Sequence, residues 1–211
     1  MLLDDAALEQ SAVVANCAMN RERRLDGYAR ELGIDITELA ADRWLDLCCG
    51  TGRALAEAAA ALPGTEIVGV DLVDHFIPDT NAVHLITASV TTWEPEAPFD
   101  LITCVHGLHY IGDKLGLLTR AASWLTGDGL LVANFDTGSV RLPNGTPAGR
   151  RLTTALREAG FTYDSRSRRI SMRGHRRIGL PYLYLGADDQ AGPNYTGQPA
   201  VHSFYKRMNN A

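Results

Sequence analysis

Two acidic residues and a tight glycine turn stand where short apolar runs end. Asp46 lies within the first run, residues 43–48, and Gly50 and Gly52 follow it directly. Glycine accepts positive φ and lets a ligand approach the main chain closely. Asp71 ends the next run, 21 residues after Gly50, where a carboxylate can accept two hydrogen bonds from a ribose diol. The pattern predicts a crevice that binds a nucleoside.

The turn differs from one that binds the pyrophosphate of a dinucleotide. That fingerprint, G-x-G-x-x-G, uses its third glycine for contact between helix and strand, and Leu55 stands in its place here. The carboxylate of Asp46 would also repel a pyrophosphate, whereas it suits a ligand with a cationic amino group. These features favour S-adenosylmethionine over NAD, and an NAD-dependent oxidoreductase remains an alternative from another enzyme class.

Two histidines follow the fourth strand-like run, in the segment Val-His-Gly-Leu-His-Tyr at residues 105–110. Imidazole titrates near neutral pH, so His106 or His109 could deprotonate an O–H or N–H nucleophile, a role worth roughly 10²–10⁴-fold in rate. The alternative is that they only pack or hydrogen-bond beside a cofactor. Zinc binding by these histidines and Cys104 lacks a further ligand, so we predict no metal site.

The elements that must position these residues are strands alternating with helices. The strand-like runs are residues 43–48, 66–71, 84–88, 99–104 and 129–136, and the helical patterns are about 53–61, 113–125 and 148–159. The first 40 residues have helical spacing with Gly33 as a stop, and the part from Phe161 onward has the pattern of strands and loops. Near-continuous apolar strands between helices indicate an α/β fold with a mostly parallel sheet. Ligands bind such sheets beyond the carboxyl ends of the strands.

Four ordered segments within about residues 43–136 resemble the motifs of class I S-adenosylmethionine-dependent methyltransferases. Residues 45–52, Leu-Asp-Leu-Cys-Cys-Gly-Thr-Gly, resemble the first motif, and residues 70–72 resemble the second. Residues 99–106 resemble the fourth-strand motif, and residues 118–136 resemble the following helix and fifth strand. The resemblance implies a Rossmann-like, doubly wound, mostly parallel seven-stranded sheet with helices on both faces. It also implies S-adenosylmethionine as cofactor, with S-adenosylhomocysteine as product.

The predicted cofactor-binding residues surround this motif set; they are Tyr28, Asp46, Cys48, Gly50, Gly52, Asp71, Leu72, Ser89, Val90 and Val105. Two of them depart from the family pattern. Cys48 replaces the first glycine, so we expect a negative φ there. Ser89 stands where many members place an Asp that binds the adenine amino group, so we expect its hydroxyl or main chain to take that role.

The two ends of the chain are expected to close the site. Residues 1–40 form a predicted N-terminal helical cap on a methyltransferase domain of residues 41–211, in which Tyr28, Arg21 or Arg24 could close over the cofactor. Exposed helix surface is the alternative for each arginine. The tail is expected to cover the substrate side, although ordinary strand packing is favoured for Tyr182 and Tyr184.

Composition narrows the possible classes. Apolar residues make up 45% and charged residues 21% of the 211, which excludes a disordered or fibrous chain. No apolar run approaches the roughly 18–20 residues of a membrane span, and the first residues do not have the pattern of a secretory signal. Cysteine spacing shows no C-x-x-C pair, so we expect reduced thiols in a cytoplasmic protein; the cysteines are Cys17, Cys48, Cys49 and Cys104.

Charge is distributed unevenly along the chain. Residues 1–140 hold 8 basic and 21 acidic side chains, whereas residues 141–177 hold 10 arginines and 2 acids. The arginines of residues 166–177 suggest an anionic partner, with a solvated arginine face as the alternative. The segment lacks the interleaved aromatic residues that stack on bases, so nucleic acid is not the favoured partner.

The function predicted from these observations is transfer of a methyl group from S-adenosylmethionine to an O or N nucleophile of a small molecule, as in natural-product biosynthesis. The alternatives are an RNA or peptide methyltransferase that uses residues 166–177, an NAD-dependent oxidoreductase, and a non-catalytic cofactor-binding protein. A monomer or a homodimer without membrane contact is expected.

Overall fold

The computed structural model describes residues 1–15, 23–39, 41–77 and 82–208. Its strands are β1 Arg43–Leu47, β2 Glu66–Asp71, β3 His84–Thr87, β4 Phe99–Cys104, β5 Leu125–Asn134, β6 Val140–Arg141, β7 Thr162–Asp164, β8 Arg169–Arg173, β9 Tyr182–Asp188 and β10 His202–Arg207. Its α-helices are α1 Asp5–Glu9, α2 Ala12–Ala15, α3 Leu25–Leu32, α4 Arg53–Ala61, α5 Lys114–Ser123 and α6 Gly149–Glu158.

Seven strands form one sheet in the order β3-β2-β1-β4-β5-β8-β7. The first five are parallel, and β8 runs antiparallel to both β5 and β7. This confirms the predicted mostly parallel, doubly wound α/β sheet. Because the five parallel strands point the same way, their following loops share one edge.

Helices cover both faces of this sheet, as predicted. On one face, α3 and α4 bury Tyr28, Leu32 and Leu55 against Trp44 and neighbouring strand residues. On the other face, α5 and α6 bury leucines and alanines against a second apolar cluster. Burial on both faces explains why the central strands are almost continuously apolar.

Strands β9 and β10 of the tail form a second sheet with β6, in the order β6-β10-β9, which is called the C-terminal sheet. Its position depends on a buried lysine. Lys114 donates hydrogen bonds from Nζ to the carbonyls of Ile111 at 2.7 Å and Val201 at 2.9 Å, and to Ser203 Oγ at 2.7 Å. Burial lowers the pKa of Lys114 to about 7. This lysine therefore joins the start of α5 to the C-terminal sheet.

The N-terminal segment contributes helices, and Gly33 ends α3 with φ 64° as expected from its place in the sequence. A bridge between Leu3 and Ala187 ties the first residues to β9, and α3 packs on α4 and β5. Division of the chain into a cap of residues 1–40 and a domain of residues 41–211 stays a prediction. In the described ranges, no helix has the length and apolarity needed to cross a bilayer.

Candidate active site

The loop after β1, residues 48–52, is called the glycine loop. Gly50 and Gly52 have φ of 62° and 75°, and Gly52 caps α4. A Cβ on Gly52 would lie 2.7 Å from Leu85 Cδ1, so a larger residue would be both strained and crowded. Gly50 N donates to Asp71 Oδ2 at 2.8 Å, and Val73 N donates to Asp71 Oδ1 at 3.2 Å. The main chain therefore aims the Asp71 carboxylate along the edge of the sheet.

The expected negative φ at Cys48 is wrong, because Cys48 has φ 58°. It keeps the left-handed conformation of the glycine that it replaces, a conformation that costs a non-glycine residue roughly 1–2 kcal/mol. A glycine across the crevice makes room for its side chain. A Cβ on Gly107 would lie 2.5 Å from Cys48 Cβ and 2.8 Å from Cys48 Sγ. The loop after β4 thus fits directly against the glycine loop.

Asp46 lies beneath the glycine loop with no exposed surface. Tyr28 OH donates to its Oδ2 at 2.6 Å, and Thr103 Oγ1 donates to its Oδ1. Burial raises the Asp46 pKa to about 7, an effect that these two hydrogen bonds oppose. The side chain of Tyr28, on α3, is itself only 1% exposed. Tyr28 therefore supports the site by holding the Asp46 carboxylate.

A cavity of about 80 Å³ extends from the glycine loop past the ends of β2 and β3, and is called the glycine-loop cavity. Five of the predicted cofactor residues line it: Cys48, Asp71, Leu72, Ser89 and Val90. Helices α1 and α2 form another part of its wall, with side chains that include Leu8, Glu9 and Val14. Ser89 Oγ donates a hydrogen bond to the Glu9 carboxylate. Sequence reasoning missed Glu9, since no motif joins it to Ser89.

The predicted histidines lie in contact after β4. His106 Nδ1 is 3.3 Å from His109 Nε2, and His106 Nε2 is 3.1 Å from Glu31 Oε2. His106 also has positive φ, 57°. Desolvation lowers the pKa of His106 to about 4 and that of His109 to about 3, so both rings are neutral at pH 7. Glu31, which lies one helical turn after Tyr28 on α3, was also missed.

A pocket of about 440 Å³ opens beside His109 and is called the histidine pocket. The ring of Tyr195 lies 5.3 Å from that of His109, centroid to centroid, and Arg168 Cζ stacks 3.9 Å from the Tyr195 ring centre. Arg141, Asp136 and His202 also line the pocket. Tyr195, in the tail, thus lies over His109; that the tail covers the substrate side stays a prediction.

Other predicted residues lie apart from both cavities. Val105 is buried at 4% exposure, in the core that α3 and α4 cover. Arg24 pairs with Glu57 at 3.6 Å on an exposed surface, and Arg21 lies outside the described residues. Tyr182 and Tyr184 pack against Tyr205 in the C-terminal sheet, in agreement with ordinary strand packing. Among the residues that the structure describes, no group of three or more His, Cys, Asp or Glu side chains is arranged to hold a metal ion. This holds for His106, His109 and Cys104 as well.

A comparison with known protein families finds a match that covers the predicted motifs. Residues 19–145 match the family model described as a methyltransferase domain, and this range is more than half of the chain. The chain belongs to the methyltransferase domain family. The matched range of this methyltransferase-family chain contains the glycine loop, Asp71, Ser89 and both histidines. Strands β9 and β10 and Arg168 lie beyond it.

Individual relatives match over shorter stretches or at low identity. Trans-aconitate 2-methyltransferase of Methylobacterium radiotolerans is 32% identical over 95 residues, which are 43% of this chain and 36% of that protein. The chain thus matches about a third of the length of this curated relative.

Among solved structures, the N-methyltransferase NodS of Bradyrhizobium japonicum, in complex with S-adenosylhomocysteine, has a TM-score of 0.52 at 15% identity. The match covers 82% of this chain and 98% of that one. The plantazolicin methyltransferase BpumL has a TM-score of 0.48 at 17% identity, over 56% of this chain and 50% of its own. The NodS match confirms the fold.

Proposed function

We propose that this chain transfers a methyl group from S-adenosylmethionine to an O or N nucleophile of a small molecule. The observation that carries the proposal is the Asp71 carboxylate, which Gly50 N holds at 2.8 Å on the open edge of β1 and β2. A carboxylate in this position can accept hydrogen bonds from both hydroxyls of a ribose. The family match and the cofactor product bound to NodS support the same cofactor.

The residue types that line the glycine-loop cavity suit the adenosyl group of this cofactor, although its volume of about 80 Å³ must increase to admit one. Leu72 and Val90 give the glycine-loop cavity apolar surface for a flat base. Ser89 and Glu9 give it hydrogen-bond acceptors beyond the ribose position, where an adenine amino group needs one. Glu9 thereby supplies the carboxylate that other family members place at the position of Ser89. Because α1 and α2 form part of the wall, we expect them to move outward when the cofactor enters.

The bound cofactor supplies a sulfonium methyl group, which is open to in-line displacement. The chain supplies position, since holding donor and nucleophile roughly 3–3.5 Å apart can contribute about 7–11 kcal/mol. The close approach of Gly107 to Cys48 sets the loop after β4 against the glycine loop. This supports the histidine pocket as an acceptor site next to the proposed cofactor site.

Glu31, His106 and His109 form a chain that can move a proton away from the acceptor. If Glu31 accepts from His106 Nε2–H, then His106 Nδ1 accepts from His109 Nε2–H. This assigns the lone pair of His109 to Nδ1. His109 lines the histidine pocket, so we assign it the role of proton acceptor, with His106 passing the proton toward Glu31. Both rings are neutral at pH 7, as this role requires.

The arginines of residues 166–177 favour a small acceptor over a polymer. Arg168 lines the histidine pocket, whereas Arg169, Arg173 and Arg176 line a separate groove beside Gly33. A run of arginines divided between two cavities does not present one face to a phosphate backbone.

A cytoplasmic location is also part of the proposal. It is supported by Cys48 and Cys104, whose free thiols lie in contact with each other. A monomer or homodimer remains our expectation.

Calorimetric titration with S-adenosylhomocysteine, followed by a mass-spectrometric screen of small acceptors with S-adenosylmethionine, tests the proposal. We expect binding of one S-adenosylhomocysteine per chain and a gain of one methyl group in an acceptor. NADH serves as the matched control ligand. Binding of NADH without binding of S-adenosylhomocysteine would contradict the proposal and favour an oxidoreductase.

A further inference from the structure

Charge is unbalanced in the histidine pocket. Two guanidinium groups, those of Arg141 and Arg168, line it together with one carboxylate, that of Asp136. Asp136 is partly engaged in local structure, because its Oδ1 accepts a hydrogen bond from Gly138 N at 3.0 Å. The histidines in the pocket add no positive charge at pH 7, since burial lowers the pKa of both His109 and His202. The pocket therefore has a positive excess.

Arg168 is held in this pocket at a conformational cost. It has φ 49° in the tight turn between β7 and β8, a position that favours glycine. Its carbonyl accepts from Phe135 N at 2.7 Å, and its guanidinium stacks on Tyr195. Non-glycine residues in such backbone regions cluster at functional sites. Its stacking on Tyr195, whose ring lies 5.3 Å from that of His109, holds the cation on the His109 side of the pocket.

Among the described residues, the hydrogen-bond partners of Arg141 are neutral groups. Its Nη2 lies 3.1 Å from His202 Nε2, and its Nη1 donates to the carbonyl of Gly145 at 3.5 Å. Its Nε is buried and finds no hydrogen-bond partner in residues 1–15, 23–39, 41–77 and 82–208. Within the described part of the chain, neither Arg141 nor Arg168 forms an ion pair with a carboxylate. A buried, unpaired N–H on one of two guanidinium groups that share a single lining carboxylate is costly unless a ligand satisfies it.

We propose that the methyl acceptor carries a carboxylate group, which Arg141 and Arg168 bind in the histidine pocket. This inference rests on the proposed function, because it assigns the acceptor class of the same site. A guanidinium presents planar N–H donors that match the two oxygens of a carboxylate. The acceptor then lies between the arginines and His109, with its anionic end away from the cofactor.

Ligand-observed NMR titrations with benzoate, benzamide and phenylphosphonate test this assignment on the full chain. Benzamide has the shape of benzoate without its charge, and phenylphosphonate carries a different anion. We expect benzoate to bind at least tenfold more tightly than either. Arg168→Gln and Arg141→Gln should each weaken benzoate binding at least tenfold, whereas Arg150→Gln, an exposed arginine on α6, should change it less than twofold.

Arg168→Gly separates binding from folding. Glycine accepts the positive φ without strain, so this variant should melt at the same temperature as the wild type or higher, and still lose benzoate binding at least tenfold. Equal binding of benzoate and benzamide, tighter binding of phenylphosphonate, or unchanged affinity in the arginine variants would overturn the assignment. S-adenosylhomocysteine titrated into the same samples keeps the two proposals apart. If it binds while benzoate does not, the acceptor class is wrong and the methyltransferase proposal stands.

Discussion

The glycine-loop cavity is built from neighbouring strand ends, whereas the histidine pocket is built from segments far apart in the chain. On the cofactor side, the loop after β1 meets the end of β2 through the hydrogen bond from Gly50 to Asp71. On the acceptor side, His109 meets Arg168, Tyr195 and His202, which lie in the last quarter of the chain. The two sides touch where Gly107 fits against Cys48.

Because of this difference, the two sides are held in shape by different interactions. On the cofactor side, adjacent parallel strands align most of the predicted residues, and the hydrogen bond from Ser89 to Glu9 adds a contact with a distant segment. The distant segments of the acceptor side require dedicated ties, because closing longer loops costs more entropy. Lys114 supplies two of these ties, to Val201 and Ser203, and the hydrogen bond from Val201 N to the His109 carbonyl at 2.8 Å supplies another. The two sides should therefore tolerate change independently, except at their contact.

Among the variants that test whether the two sides act independently, His106→Ala is expected to have the largest effect on turnover. Turnover of an identified acceptor should fall about 100-fold, within the range of general-base catalysis, while affinity for S-adenosylhomocysteine stays within twofold. In the wild type, the imidazoles must be neutral to accept a proton. Because their pKa values are about 4 and 3, turnover should be flat from about pH 6 to 9 and fall only as the pH approaches 4. Steady-state kinetics and calorimetry check both results.

An inflection in turnover near pH 6.5 would contradict the neutral pair, since it would indicate an unshifted histidine. A parallel loss of cofactor affinity would contradict the independence of the two sides.

Asp71→Ala should have the next largest effect, on the cofactor side alone. The change removes the acceptor for Gly50 N and the proposed ribose contact, so S-adenosylhomocysteine should bind roughly 30-fold more weakly, about 2 kcal/mol. Asp74→Ala is the matched control, because Asp74 is an exposed carboxylate three residues away. Benzoate binding should not change in either variant. Unchanged affinity for S-adenosylhomocysteine in Asp71→Ala would remove the main support for the cofactor site.

Gly107→Ala tests the contact at which the two sides meet. The new Cβ would lie 2.5 Å from Cys48 Cβ and 2.8 Å from Cys104 Sγ, so overpacking should cost about 1.5 kcal/mol of unfolding free energy in urea. Both S-adenosylhomocysteine and benzoate should bind more weakly, because both loops must shift.

A double-mutant cycle with Cys48→Gly identifies the cause of that loss. Glycine removes the clashing Cys48 atoms and accepts the positive φ, so the double variant should lose less stability than the two single changes together. Strictly additive losses would mean that Gly107 and Cys48 do not constrain each other.

The same difference in construction explains which features the sequence could predict. The sheet, the helices on its faces and the position of Asp71 follow from local apolar runs and strand ends. The positive φ of Cys48 did not, because its tolerance depends on Gly107, which lies 59 residues later. Likewise, the contact of Glu31 with His106 depends on packing of α3 beneath the sheet edge. Features set by distant partners leave no local pattern.

Glu9→Gln should have the smallest effect, and it tests a residue on the cofactor side that comes from a distant part of the chain. Glu9 contacts Ser89, which lies 80 positions later in the chain. Like the contacts of the acceptor side, this one joins segments that are far apart in sequence. If its carboxylate accepts from the adenine amino group, the neutral amide should weaken S-adenosylhomocysteine binding roughly threefold, about 0.65 kcal/mol. Binding of S-inosylhomocysteine, which carries a carbonyl in place of that amino group, should not weaken. Calorimetry with both ligands separates recognition from support: equal weakening would mean that Glu9 only holds α1 against Ser89.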